Sequence, residues 1–223
     1  MNNAIGPIDG RYSSKLQHLS TYFSENALFK YRIKVEILYF IQLVQKRVIK
    51  AKLTAAQIAK LHKVIEEFND AEALKIRKSE KITKHDVKAV EYYVKEKLEN
   101  IQLSKYSEFV HFGLTSQDVN NTAIPMLLKD ASNKELVPML EKLILELKNL
   151  SKQNRKQAML ARTHGQPASP TTLGKEIFVF VERLSLQLIK LKTFEYSGKF
   201  GGATGNFNAH KIAFPKVDWK NWS

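Results

Sequence analysis

Two short polar strings hold the side chains best suited to chemistry. His164 lies in Ala161-Arg162-Thr163-His164-Gly165-Gln166-Pro167-Ala168-Ser169-Pro170, a constrained loop immediately before a long apolar-periodic segment. An imidazole changes charge near neutral pH, so a general acid or base would stand here. The second string, Gly113-Leu114-Thr115-Ser116-Gln117-Asp118-Val119-Asn120-Asn121, puts two hydroxyls and an acid at the start of another long helix. Free backbone N–H groups at a helix start favour an anion there. Together the strings predict acid/base chemistry on a carboxylate or phosphate substrate. Each also has a plainer reading: Thr115 or Ser116 with Asp118 describes a helix N-cap, and Ser169-Pro170 describes a cap followed by the first helical residue.

The elements that must position these strings are helices, and the fold class expected is all-α. Residues 26–47 carry apolar positions at Leu28, Phe29, Val35, Leu38, Tyr39 and Ile41, the spacing of a half-buried helix. Thr54-Ala55-Ala56-Gln57 is a capping box that opens a helix to about Asn69. Thr83-Lys84-His85-Asp86 opens another to about Asn100, with Val87, Val90, Val94 and Leu98 facing inward. These pieces predict a helical N-terminal domain over residues 1–111. From residue 112 to 223 the apolar spacing turns to that of a coiled coil, in the series Leu136, Leu140, Leu143, Leu147, Leu150 and Leu173, Ile177, Phe180, Leu184, Leu188, Leu191. That spacing predicts the first long helices of a bundle domain. A helix from Ser116 to about Ser151 would be roughly 50 Å long, with kinks or a break at one or both of Pro125 and Pro138. Gly198 is expected to stop the second long helix. The glycines of Gly201-Gly202-Ala203-Thr204-Gly205 follow a helix rather than a strand, which excludes a dinucleotide-binding loop.

Composition narrows the function classes. With 43% hydrophobic and 26% charged residues the chain reads as an ordinary soluble globular protein. No basic and then apolar leader opens it, and its most apolar run, residues 37–44, is interrupted by Gln42, so neither secretion nor a membrane partner is expected. It has no cysteine, hence no disulfide or thiolate site, and cytoplasm is the default compartment. The six histidines show no HExxH or comparable spacing, so no metal is expected. A net charge of +14 invites a nucleic-acid partner. The excess is spread along the chain without a basic block or a recognisable module, so a solvated lysine-rich surface is favoured, one that would also steer an anionic substrate inward. The alternative, from another class, is a non-catalytic basic helical module that binds nucleic acid or other polyanions.

The strings TSQDVNN and RTHGQPASPTTLGKE, spacing included, resemble the first and second signature regions of the fumarase/aspartase superfamily of β-eliminating lyases. GPIDGRY, TKHDVKAVEYYVKEK and GGATGNFNAH resemble its adenylosuccinate lyase branch. The resemblance runs from about Ile5 to the last residue. It implies elimination of fumarate from adenylosuccinate, giving AMP, and from the succinyl-carboxamide imidazole ribotide of purine biosynthesis. No cofactor is implied, and a small-molecule nucleotide is the substrate. Residue by residue, His164 matches the general acid and Thr163 its neighbour. Thr115 and Ser116 match residues binding the succinyl carboxylate. Arg11 and Tyr12 match a nucleotide-phosphate contact, His85 and Asp86 a substrate-side pair, and His111 a further active-site histidine. Read without the resemblance, Arg11 pairs with Asp9, His85 is an exposed first-turn residue and His111 a core histidine. The resemblance also implies a homotetramer around a central helical bundle, and a third signature, a serine loop of pattern SSxMPxKxN bearing the catalytic base. No such string occurs here, so this sequence is expected to be an N-terminal portion, inactive alone.

Overall fold

A computed structural model of the chain describes residues 6–221; the outer ends of the two expected domains, residues 1–5 and 222–223, lie outside the described residues. The chain divides into two compact units, Met1–Leu128 with Ser197–Ser223, and Lys129–Tyr196.

The first unit is built around one helix. After two single-turn helices, α1 (Ser13–Leu16) and α2 (Ser20–Phe23), the chain enters α3 (Glu25–Gln45), whose N-terminus is closed by the Ser24 hydroxyl accepting from the Ala27 N–H. Phe29, Ile33, Ile37, Phe40 and Leu43 of α3 are all fully buried. So are its charged Arg32 and Glu36, at 5% and 0% exposure, and a chain tolerates buried charges only where they are paired. The expected capping box is present: Thr54 and Gln57 bond reciprocally and open α4 (Ala55–Glu66). α5 (Asp70–Thr83), capped by Asn69, has no counterpart in the apolar pattern, because it carries only Ala73 and Ile76 inward. α6 (Asp86–Glu99) buries Val87, Val90, Val94 and Leu98 as expected, and the imidazole of His85 is its cap. A 3-10 turn over Ser104–Phe109 leads to α7 (Ser116–Ala131). Near the chain's end α10 (Asn208–Ala213) buries His210.

The second unit is a helical hairpin. The helical path that begins with α7 passes through a π turn, Ser132–Leu136, into α8 (Val137–Gln153). Pro125 is accommodated inside α7; the irregularity instead precedes Pro138, whose ring lacks an N–H and would press on the carbonyl four residues earlier in a regular helix. α9 (Leu173–Lys192) runs back along α8, with the Ser151 hydroxyl donating to the Gly174 carbonyl at 2.6 Å and the Lys192 ammonium paired with Glu141 at the other end. α9 stops at Lys192, six residues before Gly198.

The all-α expectation describes the architecture, with one correction. The Ala161–Pro170 string is neither a loop nor a helix start. Ala158–Thr163 (β1) and Gln166–Thr172 (β2) pair as an antiparallel hairpin, and the cap of α9 is Thr172, whose hydroxyl accepts from the Lys175 N–H, not Ser169. The two-residue turn His164-Gly165 has φ of 49° and 74°, the left-handed pair of a type I′ turn. Pro167 and Pro170 fit because a two-stranded hairpin is all edge and the register slips between Leu160 and Arg162.

α8 and α9 meet at Gly174. A Cβ built there would lie 2.4 Å from the Ser151 carbonyl oxygen, which is backbone and cannot swing away. Gly174→Ala is therefore expected to destabilise the chain by about 1–3 kcal/mol, read as a lower midpoint in urea unfolding. An unchanged midpoint would show that the helices separate without cost.

Candidate active site

Three helices and two loops of the first unit bring most of the expected site residues together. Arg32 and Glu36, one turn apart on α3, are buried against them. The Arg32 guanidinium bonds Asp86 Oδ2 at 2.7 Å and Asn120 Oδ1 at 2.9 Å, tying the first turn of α6 to α7. Burial raises the Asp86 carboxyl, but the Val87 N–H and Arg32 outweigh it and hold the group below the ordinary carboxylate range. His85 Nδ1 accepts the Lys88 N–H at 3.2 Å. The proton of a neutral His85 ring is thereby assigned to Nε2, 3.4 Å from the Ser116 Oγ. The two expected carboxylate-binding and substrate-side strings thus meet at His85 and Ser116.

Glu36 spends both oxygens on His111, one on its backbone N–H at 3.0 Å and one on Nδ1 at 2.5 Å. Burial works against protonation of this ring, yet the Glu36 bond and charge prevail and raise the His111 pKa above its ordinary value. His111 is neither an exposed residue nor a core histidine satisfied by backbone carbonyls.

Asp118 explains how the start of α7 is held. It is fully buried, and its Oδ2 accepts the Thr115 N–H at 2.7 Å and the Thr115 hydroxyl at 2.8 Å. Its Oδ1 accepts Lys199 Nζ at 2.8 Å and the Gly201 and Gly202 N–H groups at 2.9 and 3.1 Å. Desolvation raises this carboxyl, but Lys199 and the N–H donors of Gly201 and Thr115 push it down to about 2. The glycine loop is therefore fastened to the same helix end that carries Thr115 and Ser116. Gly113, just before it, has φ of 68° and lies under the ring of His210, 2.7 Å from where a Cβ would be. His210 is held from its other edge: the Tyr39 hydroxyl donates to the Phe112 carbonyl at 2.7 Å and so accepts from His210 Nε2 at 3.0 Å. Burial lowers the His210 pKa and keeps the ring neutral, a structural role.

Arg11 and Tyr12 are exposed at the start of α1, the guanidinium 5.8 Å from the Tyr12 ring centre, and among the described residues Arg11 forms no ion pair, with Asp9 or any other carboxylate. Thr163 and His164 belong to the second unit, exposed at the tip of the β1–β2 hairpin. No three His, Cys, Asp or Glu side chains cluster as a metal would require among the described residues, and no described helix is long and apolar enough to cross a membrane.

Comparison with known families decides what this arrangement belongs to. A family described as Lyase matches residues 10–223. The chain belongs to this lyase family. Over 98% of its length it is 51% identical to an adenylosuccinate lyase of Dictyostelium discoideum, covering 49% of that protein. It is 47% identical, again over 98%, to one of Legionella pneumophila, covering 48%. The chain thus spans about half the length of the curated relatives it matches. A solved β-carboxy-cis,cis-muconate cycloisomerase of Acinetobacter calcoaceticus is similar over 92% of this chain and 46% of its own, with a TM-score of 0.72 and 18% identity, a likeness of fold alone.

In this lyase chain, the residues that composition and spacing did not disclose are Arg32, Glu36 and Lys199. All three act on expected site residues or on the loop beside them. Arg32 and Glu36 sit at i and i+4 on α3, the most deeply buried of the described helices, which is itself a signal that a buried face is committed to polar partners.

Proposed function

We propose that this chain supplies the carboxylate-binding and general-acid parts of an adenylosuccinate lyase, which eliminates fumarate from adenylosuccinate and from the succinyl-carboxamide imidazole ribotide. The observation that carries the reading is the start of α7. Thr115 and Ser116 lie at a helix N-terminus, Asp118 fixes that end by accepting both Thr115 donors, and the His85 ring bonds Ser116. Such an end suits the succinyl carboxylate, and the same unit holds His111, whose pKa Glu36 raises, and the Asp86-paired Arg32. The adenylosuccinate lyase relatives give the substrate class its support.

The reaction needs a base to remove the proton beside a carboxylate, an acid for the departing nitrogen, and donors for the dianion between. His164 takes the acid role, with Thr163 beside it. The base belongs to a serine loop outside this sequence. A homotetramer goes with the reading, and the second unit supports it. Met139, Leu143, Phe178, Phe180 and Ile189 leave apolar faces of α8 and α9 exposed beyond the face they give each other. A cytoplasmic, cofactor-independent enzyme follows from the same reading. The test is fumarate release from both nucleotides by the complete polypeptide, with its mass measured by light scattering in the same preparation; no release from either would end the reading.

Arg11 is the proposed phosphate contact, since its guanidinium is exposed and unpaired while a dianionic phosphate needs a fixed, permanently charged fork. Losing a hydrogen bond to a charged group costs about 1.5–3 kcal/mol. Arg11→Ala is thus expected to raise KM for adenylosuccinate by roughly 10- to 100-fold with a smaller change in kcat. An unchanged KM excludes the role.

A further inference from the structure

We propose that Glu36 is a positioning residue of this site: it fixes the His111 ring so that Nε2–H is presented as a donor to an anionic group of the substrate. The inference rests on the lyase reading above. Glu36 is completely buried on α3, and both of its oxygens are committed to one residue, the His111 backbone N–H at 3.0 Å and Nδ1 at 2.5 Å. A buried carboxylate is destabilising unless fully satisfied, and a purely structural tie to one backbone N–H needs only an amide. The carboxylate adds a second acceptor that keeps a proton on Nδ1 in every state of the ring. Nε2 is then the only position left to titrate, and among the described residues no protein group is bonded to it.

The charges that face the ring are Glu36 from α3 and Glu91 and Lys88 from α6; the two carboxylates favour the imidazolium and Lys88 opposes it. The same Glu36 oxygen that holds the backbone N–H stabilises an uncommon backbone. His111 has φ of 60°, and its carbonyl accepts the Leu114 N–H at 3.1 Å in the turn that leads straight into Thr115 and Ser116. One buried side chain therefore sets both the ring and the approach to the carboxylate-binding helix end.

The experiment compares Glu36→Gln, Glu36→Asp, His111→Gln and the double variant Glu36→Gln/His111→Gln in the complete polypeptide. Kinetics of fumarate release are followed against pH, and the histidine ring resonances are followed by NMR. Glu36→Gln keeps the size and one acceptor but turns an N–H toward His111. It is expected to raise KM about tenfold or more at neutral pH with kcat less affected, and to move the His111 titration to lower pH. Glu36→Asp, which keeps the charge, should recover part of both. Because Glu36 acts through His111, adding Glu36→Gln to His111→Gln should change KM less than twofold. Additive effects in the double variant, or an unmoved His111 titration in a folded Glu36→Gln, overturn the proposal. If the unsubstituted polypeptide releases no fumarate, the lyase reading fails on that result, and succinate becomes the probe. Displacement of the His111 resonances by succinate in the unsubstituted protein and not in Glu36→Gln upholds the inference, and displacement in both or neither overturns it.

Discussion

His164→Ala in the complete polypeptide is expected to lower fumarate release about 10²- to 10⁴-fold, the usual worth of a general acid. The geometry makes this loss interpretable as chemistry. His164 is exposed at the tip of a two-residue turn, and among the described residues it has no side-chain hydrogen bond or ion pair. Removing the ring therefore takes nothing from the fold, and relief of a left-handed conformation by alanine is not available either, since both are ordinary L-residues at φ of 49°. Thermal stability of the variant should match the parent within about 0.5 kcal/mol, as for surface substitutions generally. With the proposed base on a serine loop outside residues 1–223, those residues alone are expected to release no fumarate, because an acid without its base leaves the proton-abstraction barrier almost untouched. Supplying a relative's second half, in one chain or as a complementing fragment, should restore turnover. Appreciable activity of residues 1–223 alone would refute the missing-base argument, and a fully active His164→Ala enzyme would remove His164 from the mechanism.

The helices were legible because their ends and inner faces are written locally. Thr54 and Gln57 form a capping box three residues apart, and Val87, Val90, Val94 and Leu98 trace one helix face, so each needs only its own segment to be recognised. The hairpin was not, although Thr163-His164-Gly165-Gln166 contains its turn. A non-glycine residue before glycine can take a left-handed pair, but Pro167, Ala168, Ser169 and Pro170 erase the alternation that marks a strand. The π turn is a similar case: Pro138 announced a disturbance, and where the helix absorbed it depended on the preceding turn. In the site, Thr115, Ser116, His85, Asp86 and His111 could be picked out because their strings are distinctive. The residues that orient them could not. Arg32 and Glu36 are set among Phe29, Ile33, Ile37 and Phe40, where a search for apolar spacing passes over them, and Lys199 reaches Asp118 across 81 positions of sequence, a contact that no local pattern encodes.

Asp118→Asn is expected to produce the largest loss of stability among single substitutions in the first unit, about 3–5 kcal/mol at neutral pH. That is the cost of breaking a buried charge pair and leaving its partners unsatisfied. The isosteric amide can accept at only one atom, and its N–H group must face either the Thr115 N–H or the Gly201 and Gly202 N–H groups, while Lys199 loses its counter-charge. The acid limb gives the expectation a sign. The folded carboxyl titrates at about 2, against 3.8 for an ordinary aspartate. The unfolded chain therefore binds the proton first as pH falls, and the contribution is fully present above about pH 4 and lost as pH falls toward 2. That difference corresponds to about 2.5 kcal/mol. Urea unfolding of parent and variant between pH 7 and pH 2 should show a wide gap at neutral pH that narrows by about this amount at the acid end. A gap that stays constant across the range would mean that Asp118 acts through shape and not through charge. Because the same carboxylate fastens the Gly201–Gly202 loop to the helix end bearing Thr115 and Ser116, the variant should also bind succinate more weakly at pH 7 even where it remains folded. Unchanged succinate affinity in a folded Asp118→Asn protein would separate the loop from the binding site.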